Sequence, residues 1–160
     1  TFTQLEERNS QMTNYVGAGL FIAGKWYLIE GKDASAFQIF DKIAVSCAEF
    51  TKFLRAIVTT LVEHGKGEEA SKYMSRFQAG SMDAEDYMVS DFLLRCSGGA
   101  DAAAVIQRGL DLYNRKIKDY MCMRYLVDAM LQQGLKEKAA PFVKEIETLF
   151  PDKNGQSLAA

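Results

Sequence analysis

The sequence predicts an all-α protein, a short right-handed α-solenoid of about four helical hairpins, and three repeated features support this prediction. Glycines recur at intervals of 34, 34 and 35 residues, at Gly31, Gly65, Gly99 and Gly134. An alanine follows each glycine by five residues, at Ala36, Ala70, Ala104 and Ala139. Mainly apolar residues stand eleven, seven and three positions before each glycine, a step of four that marks one face of a helix. A constant period of this length indicates a repeat architecture.

Each repeat is predicted to be a helix, a tight turn at the glycine, and a second helix. Glycine tolerates the left-handed backbone conformation that ends a helix. The small alanine lets the second helix lie close to the first. We expect first helices near 14–30, 49–64, 83–97 and 118–133, and second helices near 33–47, 67–79, 101–115 and 135–149.

These helices are predicted to form one repeat domain over residues 14–150, with units near 14–48, 49–82, 83–117 and 118–150. Residues 1–13 are predicted to be an N-terminal extension or a short helix capped by Thr3, and 151–160 a flexible tail. Asp33 or Ser35 is expected to cap the second helix of the first unit, and Asp101 that of the third.

Composition and charge exclude several classes of protein. The chain has 160 residues, 48% of them hydrophobic, and a formal net charge of −2. That is the length of one ordinary domain. Nucleic-acid binding usually needs a basic excess, so the charge disfavours it. The most apolar stretch, Val16 to Ile29, is interrupted by Lys25, and we therefore expect no direct membrane insertion.

The cysteines and the single histidine do not form a recognisable site. Cys47, Cys96 and Cys122 are odd in number and lack metal-ligand spacing, which favours a reducing compartment. Cys96 and Cys122 are interpreted as core or half-buried thiols. His64 directly precedes a hinge glycine, where it is interpreted as a helix C-terminal residue that complements the helix dipole.

Residues 19–25, GLFIAGK, fit the first part of a P-loop, but Trp26 stands where that loop needs serine or threonine. No strand is predicted before this segment, so an ordinary helix is favoured. The sequence therefore predicts no catalytic residue, no cofactor and no metal ligand, and we expect a protein that is not an enzyme.

The repeat resembles the pentatricopeptide (PPR) and tetratricopeptide (TPR) families over about residues 15–150. Residues 62–70 (VEHGKGEEA) and 131–139 (LQQGLKEKA) look PPR-like, whereas residues 150–152 (FPD) look TPR-like. TPR first helices favour glycine seven positions before the turn, and only Gly24 has it. The resemblance implies stacked helical hairpins, an architecture that serves many kinds of partner.

PPR proteins read single-stranded RNA one base per repeat. The resemblance places the base-reading pair ten residues before and twenty residues after the turn glycine. The first column is Phe21, Arg55, Val89 and Arg124, and the second is Thr51, Glu85, Asp119 and Asn154. The family requires Asn, Ser or Thr in the first column, and no unit has one. The departure argues against base readout.

In such stacks, equivalent first-helix positions line one common surface. Arginine and aromatic side chains often anchor protein interfaces. We therefore predict that Phe21, Arg55, Val89 and Arg124 contact a protein partner.

In its size, its repeat type and its lack of the base-reading residues, the chain is similar to the small PPR-like accessory subunits of euglenozoan mitochondrial ATP synthase. This similarity implies a protein partner, the ATP synthase α subunit, on the outside of the catalytic hexamer. It also implies the matrix side of the inner mitochondrial membrane after leader removal, and Thr1 in place of Met fits a processed chain or a fragment. Two alternatives remain: an organellar RNA-binding PPR protein with a degenerate code, and a TPR-type peptide-binding adaptor.

Overall fold

The structure is a computed structural model that describes residues 1–77 and 84–153. These residues contain eight α-helices and no β-strand, which confirms the predicted all-α helical repeat. The helices are α1 (Phe2–Ile29), α2 (Asp33–Ser46), α3 (Thr51–Glu63), α4 (Gly67–Ser71), α5 (Ala84–Ser97), α6 (Ala102–Asn114), α7 (Tyr120–Gln132) and α8 (Lys136–Leu149), with a 3-10 turn at Pro151–Lys153. The chain divides into two compact units, Thr1–Ser90 and Asp91–Ala160.

Helix α1 begins twelve residues earlier than the predicted first helix. The Thr1 side chain accepts a hydrogen bond from the backbone N–H of Gln4 at 3.4 Å, and the Gln4 side chain accepts one from the Thr1 amino group at 3.2 Å. This reciprocal pair is a capping box. Residues 2–13 therefore belong to α1, and the predicted separate N-terminal helix with Thr3 as its cap is wrong.

The four hinge glycines all adopt the predicted left-handed conformation. Their φ angles are +75°, +71°, +86° and +73° at Gly31, Gly65, Gly99 and Gly134. The residue after each glycine donates its N–H to the carbonyl five positions back, as Lys32 does to Tyr27 at 2.8 Å. The same bond recurs at Lys66, Ala100 and Leu135. This pattern satisfies the last carbonyls of the first helix at every hinge.

Helix α4 is shorter than the predicted helix over 67–79, whose last two positions lie outside the described residues. It ends at Ser71, and the chain continues in turns with three-residue hydrogen bonds, such as Tyr73 N–H to the Ala70 carbonyl at 3.1 Å. The Tyr73 hydroxyl donates to an Asp41 carboxylate oxygen on α2 at 2.9 Å. This contact joins the turns to α2, in a stretch where the sequence pattern predicts helix.

The helix caps agree with the prediction in the third unit and differ in the first. Asp101 caps α6, with its carboxylate accepting from Ala103 N–H at 2.8 Å. In the first unit, Lys32 occupies the N-cap position and Asp33 is already helical, so the predicted Asp33 or Ser35 cap is wrong. Asp33 instead pairs with Lys66 at 2.7 Å.

The core of the Thr1–Ser90 unit lies among α1, α2 and α3, and its large side chains with no exposed surface include Phe40, Ile43, Leu54, Ile57 and Leu61. The Phe40 ring stacks on Phe21, with ring centroids 6.2 Å apart, and meets the Tyr73 ring edge-on at 6.4 Å. Helix α1 lies close to this ring because it has no side chain at Gly24. A Cβ atom there would lie 2.5 Å from the Phe40 ring.

The core of the Asp91–Ala160 unit lies among α6, α7 and α8. Its buried cluster consists of Tyr120, Met123, Leu126, Val127, Met130, Ala139 and Ile146. Asp119 caps α7 by accepting a hydrogen bond from Cys122 N–H at 3.1 Å. At Glu145 on α8, the Lys118 ammonium and the Tyr113 hydroxyl both bond the carboxylate, and they lower its pKa below the usual value.

Candidate functional site

Arg55 and Glu85, which occupy the two base-reading columns in the second unit, bond to one another. An Arg55 guanidinium nitrogen lies 3.2 Å from a Glu85 carboxylate oxygen and 3.4 Å from one of Asp86. The Asp86 carboxylate also accepts a hydrogen bond from the buried Thr51 hydroxyl at 3.0 Å. Thr51 is itself a member of the second column. These residues of the two columns therefore lie close together, and their polar groups form bonds within the chain.

The remaining column residues are engaged in other ways. Val89 has no exposed surface, which leaves a partner nothing to contact at this predicted interface position. Phe21 is half-buried and stacks on Phe40. Arg124 is half-buried and donates to the Tyr120 hydroxyl at 3.5 Å, whereas Asn154 lies outside the described residues. Of the four predicted interface residues, only the two arginines have polar groups near the surface.

A cavity lies at the third hairpin, between the end of α5 and the start of α6. The alanine five positions after the hinge has at most 1% exposed surface at Ala36, Ala70 and Ala139. Its equivalent Ala104 is half-buried and lines the cavity, whose volume is about 360 Å³. Pockets that bind small ligands typically have volumes of about 300–1,000 Å³. The predicted close packing therefore fails at this one alanine.

The cavity has an apolar floor and two arginines on its wall. Phe92 and Val105 are buried and contribute apolar surface. Arg95 from α5 bonds Asp91 at 2.9 Å, and Arg108 from α6 lies 3.9 Å from the same carboxylate. Two guanidinium groups share one carboxylate, so the cavity wall has a net positive charge. Such a site suits an apolar group that carries a carboxylate.

Sequence analysis did not identify this cavity. The run from Gly98 to Ala100 contains three small residues at the hinge, and all three line the cavity. That run was the only sequence signal for it. Arg95 and Arg108 look like ordinary exposed helix residues in the sequence, because their convergence depends on how α5 packs against α6.

The cavity also contains a thiol whose ionisation is suppressed. Burial raises the pKa of Cys96 to about 12. Because the thiolate is the reactive form, we expect iodoacetamide at pH 8 to alkylate Cys96 in the folded chain roughly a thousandfold more slowly than in urea. Mass spectrometry of the Cys96 peptide over time measures both rates. Equal rates in the folded and unfolded chain would contradict a half-buried, neutral thiol.

The other segments considered in the sequence have ordinary structural positions. Residues 19–25 lie within α1, where backbone amides are committed to the helix rather than free to bind phosphate. His64 is the C-cap of α3, with its Nδ1 2.8 Å from the Thr60 carbonyl oxygen. In residues 1–77 and 84–153, no group of three acidic, Cys or His side chains is placed to hold a metal ion. None of the helices described there combines the length and hydropathy needed to cross a bilayer.

A second surface that the sequence analysis missed is the α1 outer face, which we define as Leu5, Arg8, Met12, Tyr15, Gly19, Ile22, Trp26 and Ile29. These residues alternate at spacings of three and four. The apolar side chains among them are between 58% and 77% exposed. The opposite side of the helix is packed in the core through Gly17, Gly24 and Leu28. Helix α1 is therefore apolar on two faces, and this two-sided pattern was the available signal.

No family model matches the sequence. The curated proteins and the solved structures likewise contain no match.

Proposed function

We propose that the chain is a non-catalytic, protein-binding accessory subunit of mitochondrial ATP synthase, bound to the outside of the catalytic hexamer through the α subunit. The observation that carries the proposal is that residues in the base-reading columns contact other residues of the same chain. Arg55 and Glu85 bond one another, and Val89 is buried. A repeat scaffold whose base-reading groups are used in this way fits a protein partner better than RNA. The resemblance to PPR-like subunits supplies the identity of that partner.

The cavity at the third hairpin is the contact site that we assign to the α subunit. Interface hot spots are commonly apolar groups or arginines at well-packed pockets. An apolar side chain of the partner would fill the space beside Ala104, and a neighbouring carboxylate would reach Arg108. Arg108 is half exposed and lies 3.9 Å from Asp91, beyond hydrogen-bond distance, so it can turn toward such a group.

A capture experiment tests this function. The tagged chain should recover the α and β subunits of ATP synthase from euglenozoan mitochondrial extract, identified by mass spectrometry. Arg108→Glu should lower that recovery at least about tenfold, because it places a negative charge where the partner's carboxylate would sit. Arg115→Glu is the matched control at the end of the same helix. Arg115 pairs only locally, with Asp111 at 3.1 Å, and its replacement should leave recovery unchanged.

Recovery of a different complex, or equal recovery with both variants, would refute the assignment. The RNA alternative predicts another result, namely retention of single-stranded RNA that falls steeply as salt is added. Absence of retention at low salt would remove that alternative.

A further inference from the structure

The α1 outer face exposes enough apolar surface to form an interface. Its six apolar side chains together expose roughly 800 Å², given the areas typical of aromatic and aliphatic residues. A stable interface of standard size buries about 800 Å² on each partner. Monomeric proteins rarely leave a contiguous apolar patch of this size uncovered. The whole face lies on one helix, α1, so its natural complement is another helix.

Spacings of three and four residues are those of helices that pack along a seam. The residues of the α1 outer face are of two kinds, those followed by a step of three and those followed by a step of four. In an antiparallel pair, a residue of one kind packs against a residue of the other kind. When the two copies are aligned so that paired residue numbers add to 34, all eight residues of the α1 outer face find a partner in the face itself. The pairs are Leu5 with Ile29, Arg8 with Trp26, Met12 with Ile22, and Tyr15 with Gly19.

We propose that two copies of this chain form a dimer through their α1 outer faces, with the helices antiparallel and Tyr15 of each copy packed over Gly19 of the other. A Cβ atom at Gly19 would meet nothing within 4 Å in the single chain. The fold of one chain therefore does not require glycine there, although glycine destabilises a helix interior. A tyrosine ring from the second copy explains the glycine.

The charges agree with this alignment. The Trp26 indole N–H donates to Glu30 at 2.8 Å, which holds the ring beside a carboxylate. Arg8 of the second copy would lie over that ring, where a cation–π contact favours it. In the same alignment Lys25 lies level with Asn9, and Glu30 lies level with Gln4, so neither faces a like charge. A parallel pair would instead oppose Arg8 to Arg8 and Gly19 to Gly19, which combines repulsion with a gap.

Light scattering across micromolar concentrations tests the dimer. The purified chain should have twice the mass of the 17.9 kDa polypeptide. Ile22→Lys should raise the dissociation constant at least about tenfold, because it places a charge in the centre of the seam. Val45→Lys is the matched control, since Val45 is 84% exposed on α2 and lies outside the face. That variant should remain dimeric.

Cysteine cross-linking tests the alignment. In a Cys96→Ser background, the double variant Met12→Cys with Ile22→Cys should form a disulfide-linked dimer under mild oxidation. The two positions lie about 15 Å apart along one helix, too far for a bond within a chain. Each single variant should remain uncross-linked, because antiparallel copies do not place a residue opposite itself. Cross-linking of the single variants would show a parallel pair and overturn the proposal.

A chain that stays monomeric throughout this concentration range would also overturn it. That result would leave the proposed function untouched, since binding to ATP synthase is measured separately and is assigned to the third hairpin. A chain that dimerises but does not capture ATP synthase would support the dimer and refute the proposed function.

Discussion

Replacing Ala139 with arginine should lower the free energy of unfolding by about 4 kcal/mol, because a long charged side chain has no room and no partner there. Ala139 is 1% exposed and belongs to the buried cluster among α6, α7 and α8. Urea unfolding followed by circular dichroism measures the change.

Two matched variants separate crowding from charge. Ala140→Arg places the same side chain on the exposed side of α8 and should change the stability by less than about 0.5 kcal/mol. Ala104→Arg, at the equivalent position of the third hairpin, should destabilise less than Ala139→Arg because the cavity gives the side chain space. If all three variants unfolded at the same urea concentration, the repeat register would be wrong.

Replacing Gly24 with leucine should destabilise the Thr1–Ser90 unit by about 3 kcal/mol. The first added atom would lie 2.5 Å from the Phe40 ring. That ring is fully buried between Phe21 and Tyr73, so it cannot move aside. The gain in helix propensity over glycine, about 1 kcal/mol, only partly offsets the clash.

Ser10→Leu serves as the control, since Ser10 is an exposed residue of the same helix outside the α1 outer face. Thermal unfolding by circular dichroism should distinguish the two variants by several degrees. A Gly24→Leu chain as stable as the Ser10→Leu chain would mean that α1 does not pack against Phe40 as described.

The hinges could be predicted from the sequence because their cause is local. A glycine at positive φ, followed by a residue that bonds a carbonyl five positions back, needs only neighbouring residues. The predicted bounds of the first helices after α1 were accurate to within a few residues for the same reason. The start of α1 differs from the predicted start because Thr1 and Gln4 form a capping box ahead of the repeated pattern.

The candidate site depends on contacts between elements, and the sequence could not supply them. Val89 and Arg55 are equivalent in the repeat, yet one is fully buried and the other pairs with Glu85. Ala104 matches three buried alanines in register but borders a cavity. Helix α4 ends at Ser71, before Tyr73 bonds Asp41 on a different helix. The repeat period identifies equivalent residues and says nothing of the neighbours that each one meets.

The four hinges also bear on how the polypeptide acquires its shape during synthesis. Each is closed by hydrogen bonds that span five residues or fewer, so each turn can form as soon as its own residues leave the ribosome. Chains dominated by such short-range pairings fold quickly. The hinges can therefore form in the order of translation, each before the residues that follow it have been made.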